Sequence, residues 1–586
     1  MQFLRILWPI LLGTLFTTVQ GARRNTKRQT NLSQFVSTSG SQFIVNGRRV
    51  LSNEFKFVGA NAPWLPTLIT SQSQFFISSS LALKNEGTED DIKSTLCNMS
   101  DAGIKVVRTW GFNDVTEIPE NKNQTWFQLI NKDGTVTINN GTNGLQKLDF
   151  VLEAAHECNI LVIISLTNNW NPIANSSTNN TRPRNTLSND FGGMDTYTRQ
   201  FGGSMHDEFY TNATLLAAFQ NYTTQIVTRY VNNPTVFSWE IANDPRCNSS
   251  VEASPSCTAQ TVTQWHSTIA QHIKSIDPNH IVSSGNQGFF CVGCPKLFPL
   301  RPPPPAPQVS AAPGLRRATK PQFLTKRKLM MRREERRRMN RALSGGDVSG
   351  VRVRGRWVAS RTRRQEENEA GSAFDGSAGV DTEDILNIPE IGYSTFQFFP
   401  DQNTYIQGPA DSGLSSFQNV LQEGLDWIQL QGELSSTFGK PVALTAFGLV
   451  SQQHAPDFVP FNTTVAPFAA NSQGTTLSLN NTTTSSQTSN STFGVTSAQR
   501  TQAYSAWLDA GITSGLAGIM QYQWGVSNVT AAAGTSFSPN EDSTSASPDE
   551  TGTSSSPDDG YSIIDSNTED TESIISAASL QIASDT

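Results

Sequence analysis

Side chains suited to gripping an uncharged polar ligand recur in this sequence at the ends of short apolar runs. Arg108 and Trp110 close Lys105-Val-Val-Arg-Thr-Trp, Asn168 to Trp170 follow Leu161-Val-Ile-Ile-Ser-Leu, and Asn243 and Asp244 follow Val236-Phe-Ser-Trp-Glu-Ile. Asn286 and Gln287, then Gln397, then Tyr522 and Trp524, stand in the same relation to later runs. Carboxamides donate and accept at once and so read hydroxyl groups, while indole faces stack on pyranose rings. Core packing accounts for any one of these tryptophans. The whole set points to a carbohydrate cleft. Acids that could move a proton are fewer. Asp244 ends a run, Glu240 lies inside one and reads as structural, and Asp190, Asp207 and Glu208 read as surface or supporting groups in loops. A single Cys-x-x-Cys, Cys291 to Cys294, has no paired histidines near it, so neither a metal nor a cofactor is expected.

The runs that carry these residues alternate with longer amphipathic stretches. Eight strands are expected: Phe57 to Asn61, Lys105 to Trp110, Leu161 to Leu166, Val236 to Ile241, His280 to Ser284, Tyr393 to Phe398, Pro441 to Ala446 and Gly518 to Trp524. Helices are expected between them, for example over Leu215–Tyr230, Val262–Ile276, Phe417–Phe438 and Ala498–Ala510, where apolar residues recur three and four apart. Near-continuous apolar strands in strand–helix alternation mean a parallel sheet, and eight such units close into a (β/α)8 TIM barrel. An open doubly wound sheet is disfavoured because no Gly-rich phosphate loop follows the first strand. In a barrel the strand ends converge on one mouth, which would gather the polar set above.

Several motifs resemble fungal endo-β-1,4-mannanases of glycoside hydrolase family five. They are Arg108-Thr-Trp-Gly-Phe-Asn, Asn168-Asn-Trp, Trp239-Glu-Ile-Ala-Asn-Asp-Pro-Arg-Cys247, Lys440-Pro-Val-Ala-Leu-Thr-Ala-Phe-Gly448, Val58-Gly-Ala-Asn-Ala-Pro-Trp64 and Gly192-Gly-Met-Asp-Thr-Tyr197. The similarity runs from about Gln34 to Cys294 and from near Phe374 through Ile563. It implies retaining hydrolysis of β-1,4-mannosidic bonds in mannans, galactomannans and glucomannans by two glutamates ~5 Å apart, one acid/base and one nucleophile. By the same resemblance the acid/base position is Asp244 and the nucleophile position is Ala446, whose methyl group cannot attack an anomeric carbon. The family's sixth-strand His-x-Tyr-Pro falls on Gln397-Phe-Phe399-Pro400, and its eighth-strand Trp on Tyr522. Arg108, Trp110, Trp170 and Asn243 match as substrate-binding residues, joined at the altered positions by Gln397, Phe399 and Tyr522. The family reaction therefore stands beside an alternative, a catalytically silent glycan-binding barrel protein of the cell wall or secretome. A third reading is an inverting enzyme using Asp244 and a loop carboxylate. In each case the expected partner is a β-mannan-type polysaccharide or oligosaccharide met by a monomer.

The ends and the insertions complete the organisation. Arg5, the apolar run Ile6 to Phe16 and small residues up to Gly21 have the layout of a signal peptide, so 1–21 is expected to be removed and 22–28 to be a short propeptide ending at Lys27-Arg28. Sequons such as Asn98-Met-Ser, Asn212-Ala-Thr and Asn462-Thr-Thr agree with a secreted, extracellular glycoprotein. Six cysteines in that compartment suggest disulfides, with fifteen connectivities open. Cys247 with Cys257 and Cys291 with Cys294 are the local choices, leaving Cys97 with Cys158. The chain of 586 residues carries a net charge of −7, but 20 of its 43 basic residues crowd into 296–364 beside three acids. That imbalance and the proline run Pro302 to Pro305 make 296–369 an insertion, read as disordered or as a gene-model artefact, between barrel segments 29–295 and 370–586. Nucleic acid and membrane are not expected as partners. Ala531 to Asp559, rich in Ser, Thr, Asp and Pro, is expected to be a mobile loop.

Overall fold

The computed structural model describes residues 34–45, 54–67, 87–120, 124–173, 187–300, 321–344, 351–353, 356–358, 370–406, 413–469, 493–526, 529–532, 551–554, 556–563 and 571–585. All lie in the compact unit Leu32–Thr586. The expected signal peptide and propeptide fall outside these residues. Eight strands, β1 (Phe57–Asn61), β2 (Val106–Trp110), β3 (Leu161–Ser165), β4 (Val236–Glu240), β5 (Ile281–Ser283), β6 (Ile391–Phe398), β7 (Val442–Phe447) and β8 (Gly518–Gln521), pair in sequence order into a closed barrel. Every pairing is parallel, including β8 with β1, which closes the ring. The strands are buried along almost their whole length because the barrel interior faces one side and a ring of helices the other, which explains their unbroken apolar character.

Local signals set the helix starts. Among the outer helices are α1 (Gly87–Asp101), α2 (Leu145–Glu157), α3 (Ala213–Tyr230), α4 (Ala259–Ile276), α5 (Lys326–Ser344), α6 (Ser416–Phe438), α7 (Ser497–Thr513) and α8 (Thr571–Asp585). Asn212 caps α3 by accepting from the Thr214 amide, and capping boxes open α6 (Ser415 with Gln418) and α7 (Thr496 with Gln499). Gly439, at φ +63°, ends α6 in the left-handed conformation that a glycine adopts without steric cost. A small N-terminal hairpin lays Phe43 against Phe57, Phe237 and Tyr393 and closes the end of the barrel opposite the cleft. Disulfides join Cys97 to Cys158, Cys247 to Cys257 and Cys291 to Cys294, the pairing expected from the sequence.

Two stretches differ from expectation. Within 296–369, for which the sequence suggests disorder, residues 321–344 are ordered around α5, which lies against α6. Lys328 and Arg332 pair with Glu433, Arg336 pairs with Asp426, and Leu324 and Leu329 are buried. The segment has good helix formers and finds an acidic partner far along the chain. Within Ala531–Asp559, read as a mobile loop, residues up to Ala532 and from Thr551 form a two-stranded ribbon, Val529–Ala532 with Thr551–Ser554. After it the chain returns to the barrel mouth at residues 556–563. No helix of the described residues is long and apolar enough to cross a membrane.

Candidate functional site: a cleft at the C-terminal ends of the strands

The polar residues at the strand ends do meet. A single pocket is lined by Arg108, Trp110, Trp170, Asn243, Asp244, Gln287, Gln397, Phe399, Ala446 and Tyr522, which include all the positions matched by resemblance to catalytic or substrate-binding residues. The barrel register brings them together. Gln397 on β6 pairs directly with Ala446 on β7, and Arg108 on β2 pairs with Asn61 on β1. Asn168, Asn286 and Trp524, also at strand ends, support the wall instead. Asn168 Oδ1 accepts from Asn243, Asn286 ties Ser284 to the Gly288 amide, and the Trp524 carbonyl accepts from Trp64.

The floor is a pre-formed polar lattice. Arg108 donates through Nε to both oxygens of Glu240 at 3.0 Å and through Nη2 to Oε1 at 2.5 Å, with both side chains fully buried. It also donates to Asn61 Oδ1 at 3.1 Å and to Asn243 Oδ1 at 2.8 Å. Gln397 Nε2 donates to the same Asn243 oxygen at 3.0 Å, and Gln397 Oε1 accepts from Gln287, which in turn accepts from Tyr405. Glu240 is thus consumed in a buried, fully bonded ion pair, which removes it as a proton donor to a ligand.

Asp244 is equally committed. Its backbone sits at φ +54°, a left-handed turn that Asp and Asn tolerate better than most residues. Its Oδ1 accepts from Arg246 Nε at 2.9 Å, and its Oδ2 accepts from Arg246 Nη2 at 2.6 Å and from Trp170 Nε1 at 2.8 Å. The Arg246 guanidinium is itself clamped over the rings of Trp170, Phe289 and Phe461. Ala446, 1% exposed, lies in an aromatic cluster with Phe399, Tyr522 and Tyr561. Gly448 beyond it has no room for a side chain, since a Cβ there would stand 2.6 Å from Tyr561.

Sequence reasoning missed Ser188, Gln402, Val459, Phe461, Asp559 and Tyr561, all of which line the pocket. They come from the loops after β3, β6, β7 and β8 and carry no strand-end signature. Asp190 accepts from the Leu187 amide and so shapes the turn that carries Ser188, while Asp207 accepts from Ser254 and Glu208 from the amides of Ser204 and Met205, in loops that do not line the pocket. Among the described residues no cluster of three or more His, Cys, Asp or Glu is arranged to hold a metal ion.

Known proteins resemble the part of the chain that builds the first strands of this cleft. A family model described as GH family 5 beta-mannosidase-like matches residues 33–297. The chain is similar to that family over the matched segment, which is less than half of its length. Mannan endo-1,4-beta-mannosidase F of Aspergillus clavatus is 35% identical over 260 residues, 44% of this chain and 48% of that protein. Mannan endo-1,4-beta-mannosidase A of Hypocrea jecorina is 34% identical over 256 residues, 44% and 47% of the two chains. The matched segment spans about half the length of these curated relatives. The crystal structure of an endo-1,4-beta-mannanase from Rhizomucor miehei superposes with a TM-score of 0.54 at 22% identity, covering 94% of this chain and 100% of that one. It shows the same fold. The matched segment contains β1 to β5, and so supplies Arg108, Trp110, Trp170, Asn243 and Asp244. The remaining walls, with Gln397, Ala446, Tyr522 and Asp559, come from the rest of the chain.

Proposed function

We propose that this protein is a secreted, mannanase-like barrel that binds β-1,4-mannan-type chains in its cleft without carrying out the retaining hydrolysis of its relatives. One observation carries the reading. The pocket presents a methyl group at Ala446, next to Gln397, where the two-step reaction needs a carboxylate nucleophile. The other half of the pair is also compromised. Three N–H donors converge on Asp244, so a proton could pass from it to a leaving oxygen only after one of those bonds broke. Asp244 and Ala446 together leave no pair of free carboxyls flanking a glycosidic bond, and both retaining and inverting routes need such a pair.

What remains suits binding. Trp110, Trp170, Phe399 and Phe461 give apolar faces for sugar rings, and Asn243, Gln287, Gln397 and Gln402 give amides for hydroxyls. The amide lattice is held before any ligand arrives, which lowers the ordering cost of binding. Extracellular placement is supported by the three disulfides and the sequons. Calorimetric titration with mannohexaose, set beside product analysis of the same mixture, tests the proposal. Binding with intact ligand is the expected result, and rapid appearance of shorter oligosaccharides would overturn it.

A further inference from the structure

Among the described residues, Asp559 is the one pocket acid that packing does not use up. It reaches the cleft on the chain that returns after β8, and it is 6% exposed. Its Oδ2 accepts from Ser188 Oγ and from the Tyr522 hydroxyl, both at 2.8 Å. Its Oδ1 is buried with no hydrogen-bond partner among the described residues. A buried acceptor left unmade costs about 1–3 kcal/mol. Holding Tyr522 and Ser188 needs only one oxygen, so the second is not explained by the wall it stands in. Asp559 lines the pocket, so a bound ligand is a source from which a donor for that oxygen can come.

We propose that Asp559 is the group by which this pocket reads its ligand, its Oδ1 accepting a hydrogen bond from a hydroxyl of a neutral sugar ring. This rests on the glycan-binding reading above and names the residue that gives it selectivity. The surroundings decide the ligand chemistry. Asp558 beside it and Asp559 itself repel an anionic ligand, while Arg108 and Arg246 are already paired with Glu240 and Asp244. A neutral sugar hydroxyl, donating to the carboxylate, fits walls whose other charges are already paired. An ionised carboxylate is the stronger acceptor, so the contact depends on its charge state. Burial first, and Asp558 next among the raising influences, push the Asp559 carboxyl up to about 6, against the hydroxyls of Ser188 and Tyr522. The other titratable groups around the pocket are Tyr522 and Tyr561, both held well above their ordinary range by burial, together with Arg108, Asp244, Arg246 and Asp558, and, acting on Tyr561, Asp401, which burial pushes up to about 7. The tyrosines therefore stay neutral through this window.

The test is titration of mannohexaose into the wild-type protein and into Asp559→Asn at steps from pH 4.5 to 7.5. Wild-type affinity is expected to rise several-fold as pH passes through about 6. The variant, which keeps an oxygen for Ser188 and Tyr522, is expected to bind about ten-fold more weakly at pH 7.5 and to show no such rise. Should the variant fail to fold, the wild-type pH profile decides alone. Wild-type binding that is flat across the range, or a variant that binds as the wild type does, overturns the inference and leaves glycan binding standing. No wild-type binding at any pH overturns both.

Discussion

On the proposed reading Ala446 and Asp244 fall short of the retaining reaction for different reasons, and the difference makes each testable. Position 446 lacks the atoms, whereas Asp244 has them but spends them on Arg246 and Trp170. Ala446→Glu alone is therefore expected to give no measurable hydrolysis of manno-oligosaccharides. It should also lower the unfolding temperature, since a carboxyl would enter the cluster of Phe399, Tyr522 and Tyr561. Pairing it with Asp244→Glu, whose longer side chain reaches past the Arg246 clamp, should give detectable product. The gain should be sharply non-additive because the two groups act as one unit. Arg108 gives the opposite kind of test. Truncating Arg108→Ala strands Glu240 as an unpaired buried charge, which should cost about 3–5 kcal/mol in denaturant unfolding. A cost near zero would mean that Glu240 is free to take part in chemistry. At this scale the sequence disclosed the residues that sit on strands, because a strand end in a barrel has only one place to go. It concealed Asp559 and Phe461, whose positions depend on how loops return over the mouth. It also concealed the Arg246 clamp on Asp244, although both residues lie in one motif.

Elements were legible where their signals are local. The predicted helix over Phe417–Phe438 is α6, because its capping residues and its glycine stop are written at its ends. Its deeply buried stripe, however, runs through Trp427, Ile428 and Leu434, while Phe417 and Val420 in the first turn are only half-buried. Helix α5 was not legible, since what orders it is a row of acids on α6 about a hundred residues away. Its ion pairs lie at the surface, where each is worth about 0–1 kcal/mol, and only Leu324 and Leu329 add buried apolar side chains. Deleting residues 300–366 is accordingly expected to lower the unfolding temperature by a few degrees and leave a single cooperative transition. A broad or multiphasic transition would make α5 integral to the barrel. The link between Cys97 on α1 and Cys158 at the end of α2 closes a loop of sequence separation 61. Replacing both cysteines by alanine should cost about 4 kcal/mol on chain-entropy grounds, readable in the same denaturation experiment.

Across the whole molecule, buried carboxyls give stability a particular pH dependence. Burial pushes Glu383, Asp401 and Glu423 up to about 7 and Asp559 up to about 6, from ordinary values of 3.8 to 4.5. The native state then holds protons that the unfolded chain has lost. Their stabilising effect is complete below about 4 and disappears as pH climbs through 6 to 7. His266, pressed down by burial to about 4, works in reverse: its contribution is complete above 6.5 and fades as pH falls towards 4. Four carboxyls outweigh one imidazole, so the unfolding temperature should be higher at pH 5 than at pH 8, as scanning fluorimetry would show. The same barrel that carries these acids carries the cleft, and its fold was readable from alternation alone, whereas the chemistry left in it turned on single residues. The most direct measurement follows from that. Purified protein at micromolar concentration is incubated with mannohexaose, and binding and products are followed together by calorimetry and mass spectrometry. The expected result is a bound, intact hexasaccharide. Turnover at an ordinary enzymatic rate of about 1–10³ per second would contradict it, and would require a carboxylate other than Asp244 and residue 446 to do the work.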